Sequence, residues 1–411
     1  MCKTKKNIRG ITLIALVITI IVLLILAGVT IAALSGDNGI LTKAKEAKEK
    51  TEQAQKEEEQ TLSNMESILN NATNFNNVKT EDTNPAGAMP ANVTILENDA
   101  NKGIVIKDKN DNEWVWIEVP KTTVFSDLII DTTKELTEQD YTDIKEKLIV
   151  YVGVYKKGAI SQERSNWTDE WYNGCGLTLE EYTETYKKML KSVYAYGGFW
   201  IGRYEAGIEG SIDNVSKART GHSDIIIGTS SKAIIQKDAI PYNYIYCSEA
   251  QALANEITPD NNYKSSLLFG IQWDLVCKFL EVKSELTVGD INSNCSSWGI
   301  YNNVERKITS GKAKKQGTPW ISITGTKPAS SVLLTTGSTS ETNKMNIYDL
   351  AGNEYEWTLE HAASDSSYNC AGRGGGYNGS GTIYPASHRN GFSITDNNIS
   401  IGFRSTFYEN K

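Results

Sequence analysis

The chain has 411 residues, of which 39% are apolar and 22% charged. That is enough to bury one large core or two ordinary ones, and it excludes a wholly disordered polymer. A formal net charge of −8 argues against nucleic-acid binding, because nucleic-acid binders normally present a basic face. The three histidines, His222, His361 and His388, are far apart in the sequence, so no His-x-x-x-His zinc motif is present and histidine-based metal chemistry is not expected. Other metal cations or neutral ligands are the expected partners.

The charge is unevenly distributed along the chain. Residues 1–10 hold Lys3, Lys5, Lys6 and Arg9 but no acid, and residues 11–34 hold no charged side chain. As a helix, those 24 residues would extend about 36 Å, against about 30 Å for the hydrocarbon core of a bilayer. The sequence therefore predicts a transmembrane helix over 11–34. The basic start predicts a cytoplasmic N terminus, with residues 35–411 outside the cell.

The N-terminal segment fits three kinds of signal. A secretory signal peptide has a shorter apolar stretch and is disfavoured. Gly10, directly before the apolar run that begins at Ile11, resembles the type IV prepilin signal, which implies cleavage between these two residues by prepilin peptidase. A plain membrane anchor remains open. Major pilins carry Glu at the fifth mature position, where this chain has Ala15, so the resemblance implies a minor or tip subunit with the membrane and other pilin-like subunits as partners.

Two segments should separate this helix from the main domain. Residues 35–39 (SGDNG) supply residues that end one helix and cap the next. A solvated helical stalk is expected over 35–70, since apolar and small residues recur there at spacings of three and four between charged stretches. Residues 71–102 are rich in Asn, Thr and Pro and are expected to be a linker.

The remaining region, 103–411, has few long helical patterns. Residues 103–119 alternate around a DKNDN turn and predict a β-hairpin. Helices are predicted over 133–148, 179–194, 248–256 and 266–282. The last 60 residues consist of short strand-like pieces between glycine-rich turns, so the expected class is α+β with a large irregular fraction.

Six segments of this region follow one another in a recognisable order. They are GGFWIGRYEAG (197–207), SEAQALANE (248–256), GIQWDLVCKFL (270–280), NIYDLAGNEYEWT (346–358), RGGGYN (373–378) and IGFRST (401–406). Together they resemble the formylglycine-generating enzyme family, whose fold is an elaborated C-type-lectin fold. The complete prediction is thus a long pilin-like transmembrane helix, a helical stalk and a formylglycine-generating-enzyme-like domain over 103–411.

The turn within NIYDLAGNEYEWT is a candidate calcium site. Acids cluster within eight residues of a bend that Gly352 and Asn353 permit, and Ca²⁺ prefers oxygen ligands. The resemblance implies Ca²⁺ bound by the side chains of Asp349 and Glu356 and by the backbone carbonyls of Gly352 and Glu354. The alternative is that the two acidic side chains only accept hydrogen bonds from amides of the turn.

The sequence does not support catalysis. The oxidase members of the family bind copper through paired cysteines between the RGG and GFR motifs, and residues 374–400 contain no cysteine, so copper is not expected. Nor does a G-x-S-x-G elbow place a nucleophilic serine. Six cysteines less Cys2 leave five, which would allow one or two disulfides outside the membrane. The domain is therefore expected to be a non-enzymatic descendant of the fold.

Recognition of a ligand is the function that remains. C-type-lectin folds commonly bind through loops near their last strands, and Tyr, Asn and Ser suit an adaptable binding surface. The candidate ligand-binding residues are Tyr377, Asn378, Ser380, Tyr384, His388, Arg389, Asn390, Phe392, Asn397 and Asn398. The resulting hypothesis is a surface-exposed minor pilin or pseudopilin-like subunit with a lectin-like head that binds a glycan or protein. A receptor that never polymerises and a formylglycine-generating-type enzyme are the alternatives.

Overall fold

The chain divides into two compact units, Met1–Ser67 and Ile68–Lys411. The computed structural model describes residues 9–35, 42–56, 58–59, 80–157, 167–168, 174–229, 231–323, 325–362, 368 and 370–410. In the first unit, helix α1 spans Arg9–Ser35 and helix α2 spans residues 42–56. The predicted cleavage residues Gly10 and Ile11 lie in the backbone of α1. The predicted stalk is helical over α2 and 58–59, and its remainder up to residue 70 lies outside the described residues.

The predicted transmembrane helix requires correction. In the part of the chain that the structure describes, no helix is both long and apolar enough to cross a membrane. The predictions of a long pilin-like transmembrane helix and of a single-pass membrane protein are therefore wrong.

Six helices are described in the second unit, which contains most of the chain. They are α3 Lys121–Val124, α4 Glu138–Val152, α5 Leu179–Tyr196, α6 Cys247–Glu256, α7 Gly270–Lys283 and α8 Val288–Asn292. Thr137 and Thr178 begin α4 and α5 with capping boxes, in which each Thr hydroxyl accepts a backbone N–H and an acid three residues later returns the bond. The position of Thr137 explains why α4 begins five residues after its predicted start.

Eighteen strands are described, all of them in the second unit. They are β1 Thr94–Glu97, β2 Val105–Lys107, β3 Glu113–Glu118, β4 Trp167–Thr168, β5 Gly198–Gly202, β6 Gly207–Ile208, β7 Ala233–Ile234, β8 Tyr263–Leu267, β9 Arg306–Ile308, β10 Lys312–Lys315, β11 Ile321–Ser322, β12 Gly325–Lys327, β13 Val332–Leu334, β14 Tyr355–Ala362, β15 Cys370–Arg373, β16 Arg389–Phe392, β17 Ile401–Phe403 and β18 Ser405–Glu409. Most have five residues or fewer, in agreement with the predicted short strand-like pieces.

Two sheets organise these strands. A six-stranded sheet has the order β1-β2-β3-β5-β18-β8, and a second has the order β16-β15-β14-β17 with β4 also paired to β14. The smaller sheets are β11-β10-β13, β12-β9 and β6-β7. Because β17 lies in the second sheet and β18 in the first, the last ten residues of the described chain connect the two sheets.

Several predicted elements are confirmed. Strands β2 and β3 form the predicted antiparallel hairpin, and Asp108 shapes its turn by accepting the backbone N–H groups of Asn110 and Asn112 at 2.8 and 3.1 Å. Helices α5 and α6 begin within one residue of their predicted starts. The predicted helix over 266–282 is only partly helical. Its first two residues belong to strand β8, which ends at Leu267, and helix α7 begins at Gly270.

The predicted linker differs from the structure. Strand β1 pairs with β2, and the Trp200 indole donates to the carbonyl of Ala88 at 2.8 Å, so residues 80–102 are part of the second unit, whereas 71–79 lie outside the described residues. All five described cysteines, Cys175, Cys247, Cys277, Cys295 and Cys370, are buried. Cys277 faces the core on α7, as a small apolar residue would.

Candidate functional site

Three sequence motifs meet in the second sheet. The YDLAGNEYEWT segment leads into β14, the RGG segment begins at the last residue of β15, and the GFR segment contains the last two residues of β17. Strand β14 pairs antiparallel with β15 and parallel with β17, so that Trp357 lies opposite both Gly372 and Phe403. The turn before β14 requires glycine at position 352, because its φ is +80° and a Cβ there would overlap the carbonyl of Ile300.

Four fully buried charged residues form what we call the balanced cluster: Asp274, Glu360, Arg373 and Arg389. Arg373 donates to Glu360 and Asp274 at 2.8 Å each. Arg389 donates to Glu360 at 2.8 Å and to Asp274 at 2.7 Å. With two cations and two anions, the cluster is electrically neutral. Arg389, a predicted ligand contact, is thus only 4% exposed and joins β16 to α7 and β14.

The predicted calcium ligands belong to a second buried group, which we call the acidic cluster: Glu205, Asp349, Glu354 and Glu356. Asp349 accepts from the backbone N–H of Gly337 at 2.6 Å and from the Thr342 hydroxyl at 2.8 Å. Glu356 is paired with Arg404 at 2.7 and 3.0 Å. Both side chains predicted to bind calcium are therefore engaged by protein donors. These donors are not amides of the turn itself, and calcium binding stays a prediction.

The pKa values of all four acids in the acidic cluster are raised. Burial, together with repulsion from Asp349 and Glu354, raises the pKa of Glu205 well above its ordinary value. Burial also raises the pKa values of Glu354, Asp349 and Glu356, although the Arg404 guanidinium opposes the rise at Glu356. One Glu354 oxygen accepts from Asn243 at 2.9 Å, whereas its other oxygen is buried with no hydrogen-bond partner. Four carboxyl groups share one arginine, which favours their protonated forms.

The predicted recognition loops bring some of their residues together at the surface. Tyr384 and Phe392 are half-buried, and their rings lie edge-on to Tyr355 with centroids 5.8 and 5.3 Å away. Asn378 beside them is exposed, and Ser380 and Asn390 are half-buried. We call these five residues, Asn378, Ser380, Tyr384, Asn390 and Phe392, the aromatic patch.

Other predicted ligand contacts lie elsewhere. Tyr377 and His388 are 2% and 1% exposed, and the ring of His388 packs on Tyr384 from within, with centroids 5.2 Å apart. Asn398 caps its own turn, since its side-chain oxygen accepts from the Ser400 N–H at 2.8 Å. Asn397 is half-buried and donates to the carbonyl of Thr395 at 3.2 Å. These residues support the loops instead of extending the patch.

A further group of candidate metal ligands was not predicted from the sequence. His222, Asp224 and Glu249 each offer one ligand atom, and these atoms lie within 4.8 Å of one another. His222 and Asp224 come from an irregular loop, whereas Glu249 lies in the first turn of α6. The His-x-Asp spacing was the available signal, but nothing in the sequence indicated that Glu249, 27 residues away, would complete the group.

Comparison with known proteins does not identify the chain. No protein-family model and no curated protein matches it. A solved structure described as the crystal structure of CarF is 12% identical, with 52% of this chain and 87% of that one covered and a TM-score of 0.31. Treponema denticola variable protein 1 is 14% identical, with 51% and 84% covered and a TM-score of 0.29. Neither similarity carries an argument about fold or function, and the resemblances to pilins and to formylglycine-generating enzymes stay predictions.

Proposed function

We propose that the second unit is a non-catalytic recognition domain that binds an uncharged glycan at the aromatic patch. The observation that carries this proposal is the pair Tyr384 and Phe392. They come from separate segments, and each is half-exposed while contacting the buried Tyr355. This proposal does not include the membrane anchor or the pilin-like filament that the sequence predicted.

The aromatic patch offers the two kinds of contact that a sugar needs. Rings held in edge-to-face contact lose little side-chain entropy when a ligand covers them, and they present a fixed apolar surface to the C–H face of a sugar ring. The amides of Asn378 and Asn390 and the hydroxyl of Ser380 offer both donors and acceptors to sugar hydroxyls. This composition is typical of surfaces that bind by combining rigid aromatic and adaptable polar groups.

The absence of exposed charge favours an uncharged ligand. Between residues 374 and 395, the ionisable side chains other than tyrosine are His388 and Arg389, and both are buried. Arg389 is already neutralised in the balanced cluster. A charged ligand would lose hydration here without gaining an ionic partner from this segment, whereas a neutral sugar carries no charge to desolvate.

The chemistry of the cysteines supports a non-catalytic role. Burial raises the pKa of Cys175 to about 11 and that of Cys277 to about 12, so few of these thiols are ionised near neutral pH. The thiolate is the form that attacks substrates and binds soft metals. These two cysteines are therefore poor replacements for the paired cysteines of the oxidases.

A glycan array followed by calorimetric titration of the best neutral oligosaccharide tests the proposal. With the full chain, Tyr384→Ala and Phe392→Ala should each weaken binding at least about tenfold, since each removes a central aromatic contact. Tyr141→Ala provides a matched control, because Tyr141 is a half-buried tyrosine on α4 and its loss should leave affinity unchanged.

Two results would contradict the proposal. One is a glycan affinity that is equal in the wild type and both patch variants while all three proteins melt cooperatively at similar temperatures. The other is selective binding of a protein partner that Tyr384→Ala abolishes, with no glycan bound, which would reassign the aromatic patch to protein recognition.

A further inference from the structure

We propose that His222, Asp224 and Glu249 bind one divalent transition-metal ion, with Zn²⁺ as the representative. This inference is independent of the proposed glycan recognition, since it uses different residues on a different loop. The group was not expected from the sequence, where the three histidines are widely separated and Glu249 carries no recognisable metal motif.

Two of the ligands already lie at a metal-sharing distance. The His222 Nε2 atom is 3.1 and 3.2 Å from the two carboxylate oxygens of Glu249. Two ligands that share a tetrahedral zinc at about 2.0–2.1 Å are about 3.3 Å apart. Asp224 is exposed, and its ligand oxygen lies within 4.8 Å of the ligand atoms of His222 and Glu249. A side-chain rotation that moves this oxygen by an ångström or two therefore completes three-ligand binding.

Both close ligands are held in place without the metal. The Glu249 carboxylate accepts the backbone N–H groups of Tyr246 at 3.0 Å and Ile225 at 3.2 Å. The His222 ring stacks on Tyr246, with centroids 3.8 Å apart and planes 30° apart. Hydrogen bonds to a ligating carboxylate fix its orientation. Because Glu249 and His222 are already ordered, binding of an ion costs little conformational entropy.

An arginine fixes the loop that carries the other two ligands. Arg219 donates to the carbonyls of Ser223 at 3.0 Å and Tyr244 at 2.9 Å. Its guanidinium thereby joins the loop of His222 and Asp224 to the chain segment that leads into α6, where Glu249 lies. Hydrogen bonds from Arg219 thus connect the two segments that carry the three ligands.

The donor set indicates the class of metal. One imidazole nitrogen with two carboxylate oxygens suits zinc and similar first-row ions, whereas Ca²⁺ and Mg²⁺ prefer oxygen ligands alone. With His222 neutral, the set carries two negative charges, which balance a divalent cation. A simple His222–Glu249 hydrogen bond is the competing explanation, and it gives no role to Asp224.

Three protein ligands would leave one coordination position open. His222 and Asp224 line a cavity of about 470 Å³ together with Lys217 and Arg219. A metal bound here would therefore face a space large enough for a small molecule, with positive side chains nearby. Three-ligand zinc sites with an open position accept water or another ligand there.

Isothermal titration of the EDTA-treated full chain with ZnCl₂ tests this inference. One zinc per chain should bind in the wild type, and the melting temperature should rise with zinc because the ion binds only the folded site. Asp224→Asn should weaken zinc affinity at least about tenfold without changing the melting temperature of the metal-free protein, since Asp224 is exposed. His222→Asn should abolish saturable binding.

Asp213→Asn is the matched control, because Asp213 is another exposed aspartate on a nearby loop, and it should bind zinc as the wild type does. The inference is overturned if the wild type takes up no saturable zinc. It is also overturned if Asp224→Asn or His222→Asn binds zinc as tightly as Asp213→Asn.

Discussion

Two buried groups of charged side chains, close to the same sheet, behave in opposite ways. The balanced cluster pairs Asp274 and Glu360 with two arginines, and although burial opposes ionisation, Arg389 and Arg373 lower the pKa of Glu360 to about 2. The acidic cluster has four carboxyl groups and one arginine, and burial raises the pKa of each acid. Both groups are buried, so burial alone does not explain the difference.

The ratio of cations to acids accounts for the contrast. A buried carboxylate is stable only where opposite charge offsets its lost hydration. In the balanced cluster each acid contacts two guanidinium groups, whereas in the acidic cluster the ion pair that is described joins Arg404 to Glu356. The first group should therefore tie strands together through charge, and the second should be most stable when it holds protons.

The largest expected effect comes from unbalancing the neutral group. Arg389→Met leaves Asp274 and Glu360 with one cation between them, and it should lower the free energy of unfolding by about 3–5 kcal/mol. Urea denaturation at pH 7 measures the loss. Lys134→Met is the control, because Lys134 is paired with Asp131 at the surface, where its side chain is 78% exposed, and it should cost less than about 1 kcal/mol.

The same experiment separates two roles for Arg389. If it served as a ligand contact, as the sequence predicted, its replacement would reduce binding while stability stayed near that of the wild type. A stability loss below about 1 kcal/mol together with a selective loss of binding would contradict the structural role that we assign to Arg389.

Arg389 also shows where sequence reasoning was limited. A polar residue in a Gly- and Asn-rich segment is typically exposed, and its partner Asp274 lies 115 positions earlier, so no local pattern indicates burial. The hairpin of β2 and β3 was predictable because its turn and its alternation are local. The contact between His222 and Glu249 could not be predicted for the same reason, since the two residues are 27 positions apart in the sequence.

The N-terminal segment shows a different limit. Its apolar composition favours a membrane-spanning helix, and local helical structure was predicted correctly for α1. Composition alone, however, does not establish that a helix crosses a membrane, and no helix in the described part of the chain is both long and apolar enough to do so. Local periodicity thus predicted elements better than it predicted their environment.

A smaller effect with a defined pH dependence is expected at Glu360. Its pKa in the folded protein, about 2, is below its ordinary value of 4.5, so its stabilising contribution is present above pH 4.5 and lost as the pH falls towards 2. Glu360→Gln should therefore cost about 3 kcal/mol at pH 7 and progressively less below pH 4.5. Urea denaturation at pH 7, 5 and 3 measures this trend, with Glu180→Gln, the same chemical change at an exposed position, as the matched control.

The smallest effect, and one of opposite sign, is expected at Glu354. Its pKa in the folded protein is raised above its ordinary 4.5, so the wild type is most stabilised below pH 4.5 and loses that contribution as the pH rises towards the raised value. Glu354→Gln imitates the protonated form and should escape this loss. In EDTA-containing buffer, its stability should be close to that of the wild type at pH 5 and should exceed it at pH 8.

Glu360→Gln serves as the internal comparison for this last measurement, because it makes the same chemical change in the other cluster and should remain destabilising at pH 8. A Glu354→Gln variant that is less stable than the wild type at pH 8 would show that this carboxylate is ionised and held by a cation. Because EDTA removes calcium, that cation would belong to the protein, and repeating the pH 8 measurement with CaCl₂ in place of EDTA tests separately for calcium, which would raise the stability of the wild type. If Glu354→Gln is instead more stable than the wild type at pH 8 and calcium has no effect, the protonated form of the acidic cluster accounts for its burial beside a single arginine.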